Sequence, residues 1–309
     1  MRTLLFTVPA AYDGQPVQNY LRRECGVSWR LLVRLKRTDN GITADGNPVR
    51  SIDRLSPGQT IALQIPEDDV RVEPIPMPLA VAYEDEDLLV VDKPPYLAVH
   101  PSAGKTDPTL ANAVAAYFQS NGQRLSFRPL NRLDRNTSGL LLAGKNAHVA
   151  HVLAGRVHKE YLAVVLGNLT GCGVIDQPIR IKDGCCITRE VGEGGKESRT
   201  HWRAIAGDGT VTLVHLILET GRTHQIRVHM SWLGHPLAGD TMYGHDETEI
   251  SRHALHCAAM SLLHPVTGLS LRLTAPLPDD MRRLLESHYL PYDHKSFIND
   301  LFFQAPSIV

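Results

Sequence analysis

Apolar and polar positions along this chain fall into two regimes that meet near residue 66. In the first, Val17, Tyr20 and Leu21 recur at helical spacing, and Gly26 ends that run just after Cys25. Ser28 stands where it can cap a second helix, WRLLVRLKR, whose stripe is Leu31, Leu32 and Leu35. The turns Asp39-Asn40-Gly41, Asp45-Gly46-Asn47 and Ser56-Pro57-Gly58 then separate short strands, the last being IALQI. Residues 1–66 thus read as a compact α/β unit. Residues 67–80 place prolines at 74, 76 and 78 behind a group of acids, which predicts an extended linker.

From 81 to 290 the second regime alternates longer strand and helix patterns. DLLVVDKP, SGLLLAGK, KEYLAVVLG and TVTLVHLILE read as strands, with later ones in HALHCAAMSLL and LSLRLTAP. TLANAVAAYFQS, AHVAHVLAGRV (capped by Asn146), THQIRVHMSWL and PDDMRRLLESHY read as helices. Several strands are almost continuously apolar, so the sheet is expected to be buried on much of both faces. Residues 291–309 carry little pattern and are expected to form a loosely ordered tail.

Composition narrows the class. No apolar run approaches the roughly 20 residues that span a bilayer, and the first 14 residues lack a signal-peptide core. A cytoplasmic protein is the expectation. Five cysteines and 15 histidines show no metal-ligand spacing, so no metal site is expected. The net charge is only −1, yet residues 1–66 hold nine Lys/Arg against five Asp/Glu. Residues 124–160 hold seven against two. Such local patches suit a phosphate backbone without requiring one. Arg30, Arg34 and Arg37 fall at i, i+4 and i+7 beside Lys36 and are expected to share a helix face; that face either binds RNA or is merely solvated.

The chemistry concentrates in Asn131–Leu142, NRLDRNTSGLLL. Asp134 stands alone among Arg132, Arg135, Thr137 and Ser138, at the mouth of an apolar strand. A lone acid suits neither metal binding nor paired-carboxylate hydrolysis. It suits a nucleophile or base acting on an anionic substrate, or else it is an ordinary turn aspartate. Tyr161 alternates with apolar strand neighbours, as core tyrosines do. Arg227, in GRTHQIRVH, lies beside the Ile226 stripe and so points inward. A buried arginine needs a carboxylate partner, and Asp134 is the candidate. The segment from Gly234 to Gly244 is rich in turns and has no evident chemistry.

In this order the segments Asp92-Lys93-Pro94, Arg132-Leu133-Asp134, Lys159-Glu160-Tyr161, Gly221–His229 and Gly234–Gly244 resemble the RluA-type pseudouridine synthases. The resemblance covers roughly residues 80–285. The first 66 residues resemble the alpha-L type of RNA-binding module, through Gly26-Val27-Ser28, Gly41-Ile42, Gly46 and Pro57-Gly58-Gln59. The implied fold is α+β, a mixed and mostly antiparallel sheet flanked by helices. The implied reaction turns a uridine of structured RNA into pseudouridine without metal or redox cofactor. The RNA would be ribosomal first and transfer RNA second, and the protein would act as a monomer.

By the same resemblance, Asp134 opens the reaction by adding to the uridine or by removing a ribose proton. Arg227 keeps it ionised, and Tyr161 packs on the flipped uracil, its hydroxyl placed for the final proton removal. Arg132 fills the space the base vacates, and Arg135, Arg222 and His224 contact RNA. Arg30, Arg34, Lys36 and Arg37 add phosphate contacts. Two positions depart from the family pattern, Asn131 before Arg132 and Tyr96 after Lys93-Pro94-Pro95; they bear on loop packing or on the RNA contacted. The rival readings are an RNA-binding or folding factor with a vestigial site, and a nucleobase hydrolase using one aspartate.

Overall fold

The computed structural model describes residues 2–68, 70–101, 106–244, 249–290 and 292. The expected tail, 291–309, lies outside the described residues apart from Tyr292. The N-terminal unit runs β1 (Arg2–Thr7), α1 (Val17–Arg23), α2 (Trp29–Leu35), β2 (Ile42–Ala44), β3 (Asn47–Pro48) and β4 (Thr60–Ile65). Its sheet has the order β1-β4-β2-β3. Leu21, Leu31, Leu32, Leu35, Ile61 and Leu63 form its centre, each at most 2% exposed. Ser28 caps α2 by accepting the Leu31 N–H at 3.2 Å.

Two expectations for this unit are corrected. Strand β1 is absent from the sequence reading, because apolar Leu5 is exposed between Leu4 and Phe6 and so masks the alternation in the residue types. Arg37 does not share the helix face with Arg30 and Arg34, since α2 ends at Leu35 and Arg37 lies in the following turn. Arg34 also spends a guanidinium N–H on the Glu67 carbonyl at 3.1 Å.

Residues 66–79 hold no strand or helix among those described, as the prolines require. They are nonetheless tied down: Asp68 pairs with Arg128 and accepts the Ser126 N–H, and the Glu73 carbonyl accepts from Asn112 at 2.9 Å.

The rest is built on one large sheet. Its elements in order are β5 (Ala80–Glu84), β6 (Leu88–Lys93), α3 (Leu110–Ser120), β7 (Ser138–Gly144), α4 (Ala147–Leu153), β8 (His158–Leu166) and β9 (Cys172–Asp176). There follow β10 (Ile179–Ile181), β11 (Arg189–Val191), β12 (Arg199–Gly207), β13 (Val211–Leu218), α5 (Gln225–Trp232), β14 (Leu255–Leu263), β15 (Ser270–Thr274) and α6 (Asp279–Ser287). Nine strands form the order β5-β6-β7-β14-β8-β13-β12-β9, with β15 also on β14. Every pair is antiparallel except β7 with β14. The fold is therefore α+β with a mixed, mostly antiparallel sheet.

Alternation along β8 shows why both faces are dry. Tyr161, Ala163 and Val165 enter one core with Phe118 of α3 and Leu153 of α4. Leu162 and Val164 enter another with Met281, Leu284 and Leu285 of α6. Each fully buried leucine contributes about 1.5–3 kcal/mol relative to exposure. Asn146 caps α4 by accepting the Val149 N–H at 2.9 Å. Strands β9 to β12 escape the sequence reading because their residues are mostly half-exposed and mixed in polarity. No helix among the described residues is long and apolar enough to cross a membrane.

Candidate active site

The parallel pairing of β7 and β14 sets the site. Gly139 of β7 lies opposite Cys257 at a φ of +106°, so close that an added Cβ would stand 2.3 Å from the Cys257 carbonyl oxygen. That approach brings the turn before β7, residues 134–137, beside the chain entering β14. The Thr137 N–H closes the turn on the Asp134 carbonyl at 3.1 Å. Buried cations hold it from both sides: Lys93 donates to the Arg135 carbonyl at 3.1 Å, and Arg252 to the Asn136 carbonyl at 3.0 Å. Burial, reinforced by Arg252, pulls the Lys93 ammonium down to about 7, while Asp134 opposes that shift.

Asp134 lines a cleft of about 2110 Å³. Arg227 of α5 reaches the Asp134 carboxylate, Nη1 to Oδ2, at 3.3 Å. The expected pairing is present, but Asp134 is the lesser partner. The Arg227 fork closes on Asp240, Nε to Oδ2 at 2.7 Å and Nη2 to Oδ1 at 2.8 Å, with the Asp240 side chain fully buried. The Tyr243 ring covers the guanidinium at 4.9 Å. Burial raises the Asp240 carboxyl, but the hydrogen bonds and charge of Arg227 outweigh it and hold the group below the ordinary carboxylate range. Arg227 is in turn pushed up by Asp240 and Asp134 against its own burial.

The other residues singled out in the sequence divide in two. Arg132, Arg135, Tyr161, Arg222 and His224 line the same cleft as Asp134. Tyr161 is buried at 5% exposure on the strand between β14 and β13. Burial, helped by Cys257 and Asp134, pushes its hydroxyl well above the usual phenol range, so it is protonated at neutral pH. His224 sits 3.9 Å from Asp134 and 2.9 Å from the Tyr243 hydroxyl. Its φ of +58° puts it outside the helix, so α5 begins at Gln225 and not at Thr223, where the sequence pattern starts it. Burial lowers the His224 pKa, against the pull of Asp134. Arg30, Arg34, Lys36 and Arg37 do not line the cleft and belong to the N-terminal unit.

Residues 87–232 match the family model described as RNA pseudouridylate synthase. YjbO of Bacillus subtilis, an RNA pseudouridine synthase by name, is 39% identical over 85% of this chain and 96% of that protein. The chain belongs to the RluA-type RNA pseudouridine synthases. It is an isomerase that converts uridine to pseudouridine in RNA. The ribosomal large subunit pseudouridine synthase D of Xanthomonas campestris is 37% identical over 79% of this chain and 80% of its own length. The solved structure of human RNA pseudouridylate synthase domain containing 1 superposes with a TM-score of 0.57 at 27% identity, over 74% of this chain and 96% of that one.

In this synthase Asp240 is the residue that sequence reasoning passes over. Its segment reads as turns without chemistry, and nothing local distinguishes a turn aspartate from one that neutralises a buried arginine. A second omission is His253, whose Nε2 lies 2.8 Å from the Thr137 hydroxyl. Burial, with Arg227 adding to it, pushes its pKa down to about 3, so the ring is neutral and braces the turn without adding charge. Asn131, one of the two departures from the family pattern, accepts from Leu142 N–H at 2.8 Å and donates to the Leu140 carbonyl at 3.1 Å. It hydrogen-bonds along β7 just past the short stretch, Ser138 and Gly139, that pairs with β14.

Proposed function

We propose that Asp134 is the group that starts the isomerisation and that the substrate is RNA of the large ribosomal subunit. The observation that carries the first part is the 3.3 Å contact between the Arg227 headgroup and that of Asp134, which lines the cleft. The guanidinium there orients the carboxylate that either route requires, addition to uridine or removal of a ribose proton. Relatives named as large-subunit pseudouridine synthases support the second part.

The uridine leaves its stack at a cost of a few kcal/mol and enters the cleft. Tyr161 offers the uracil an aromatic face, which holds a detached base without fixing its rotation. By resemblance to the family, the Tyr161 hydroxyl takes part in the final removal of the carbon-5 proton. Arg132, exposed two residues before Asp134, fills the vacated place in the RNA, and Arg135, Arg222 and His224 contact the strand. The basic residues Arg30, Arg34, Lys36 and Arg37 of the N-terminal unit add phosphate contacts.

The test is pseudouridine mapping across total RNA from cells with and without the gene. Loss of one or more sites in large-subunit ribosomal RNA is the expected result. Loss confined to transfer RNA would overturn the substrate assignment.

A further inference from the structure

We propose that Tyr96 is a substrate-binding residue, a fixed aromatic platform at the cleft rim that stacks on the nucleobase next to the flipped uridine. Tyr96 takes a left-handed φ of +63°, a conformation that glycine adopts freely and that a bulky side chain resists. Such strain persists only where the surroundings impose it. Here they do: the Lys93 ammonium donates to the Pro94 carbonyl at 2.8 Å and the Leu97 carbonyl at 2.9 Å, so the loop curls around it with Tyr96 at the outer bend. The same ammonium holds the Arg135 carbonyl, which ties this bend to the Asp134 turn.

Nothing in the protein's own packing accounts for an aromatic side chain at this bend. The residue is 48% exposed, joins none of the three cores, and pairs with no aromatic ring among the described residues. Yet the ring is not loose. Its hydroxyl lies 2.6 Å from the Ser251 Oγ, and the Tyr96 carbonyl accepts the Arg135 Nε–H at 3.1 Å. A large π-face anchored at both ends and open to the cleft has the properties of a base-stacking surface. Its occupant is a flanking base, because the buried Tyr161 takes the flipped one inside. Arg132 and Arg135 stand on the same rim, where the adjoining phosphates would run.

This inference rests on the synthase reading, and the experiment separates the two. The substrate is total RNA labelled with tritium at uridine carbon 5, prepared from cells lacking the gene; the readout is tritium release by the full chain. Tyr96→Gly removes the ring and the strain. It should raise KM about tenfold or more, with kcat within about twofold, as expected when one base is no longer stacked. Its melting temperature should be equal to or above that of the wild type. The salt dependence of KM should keep its slope, since every phosphate contact remains in place. Tyr96→Phe keeps the ring and should stay within about threefold of the wild-type KM. The proposal is overturned if Tyr96→Gly leaves KM within about twofold, if kcat falls while KM holds, or if Tyr96→Phe is as impaired as Tyr96→Gly. No tritium release by the wild type would instead sink the synthase reading itself.

Discussion

Asp240 does for Arg227 what Arg227 does for Asp134. It neutralises a buried guanidinium with two hydrogen bonds and leaves a further N–H to point at the Asp134 carboxylate. Removing one member of a buried pair leaves the other charge uncompensated, which costs on the order of 3 kcal/mol. Asp240→Asn should therefore lower the unfolding free energy by about that amount, read by urea titration. It should also cut kcat about 100-fold through misplacement of Arg227. The pH dependence has a definite sign. A carboxyl held below its usual range contributes stability above the unfolded pKa of about 3.9 and loses it as pH falls through the folded value. Wild type should lose stability below about pH 4 more steeply than Asp240→Asn. Equal acid slopes would show that the pair contributes nothing to folding.

At the scale of elements, the site depends on how closely β7 meets β14. Gly139→Ala would drive a methyl into the Cys257 backbone at a position whose φ already suits glycine alone. The expected loss is at the upper end of the ~0.5–3 kcal/mol range of single substitutions, with reduced activity because the Asp134 turn precedes this strand. Calorimetry and the tritium assay check the two effects together. These strands are legible in the sequence because long apolar runs leave few alternatives: SGLLLAG and LAVVL are buried almost throughout. Asp134 stands out for a local reason, a lone acid at the mouth of such a run, whereas the roles of Tyr161 and Arg227 are legible only through the ordered motifs of the family. Strands β9 to β12 are not legible, since half-exposed strands lack a one-sided pattern. Nor is the choice of Asp240 as the main partner of Arg227. Proximity of that kind is decided by tertiary packing and leaves no trace in spacing.

Across the whole molecule, the N-terminal unit is joined to the sheet by specific contacts as well as by the linker. Arg2 forks onto the buried Asp87 at 3.1 and 2.8 Å, Phe6 meets His148 edge-on, and Gly26 closes against Val152. The basic residues of that unit lie outside the cleft, so any contribution they make to RNA binding should be additive and electrostatic. Replacing Arg30, Lys36 and Arg37 with alanine should weaken RNA affinity and flatten its dependence on salt, by up to about one unit of slope for each phosphate no longer neutralised. An unchanged slope would mark that face as merely solvated. The most direct test of the account remains Asp134→Asn, which keeps the shape of the turn and removes its charge. It should bind RNA with near wild-type affinity and release no tritium from uridine carbon 5. Measurable turnover by that variant would contradict the central claim that Asp134 beside Arg227 starts the reaction.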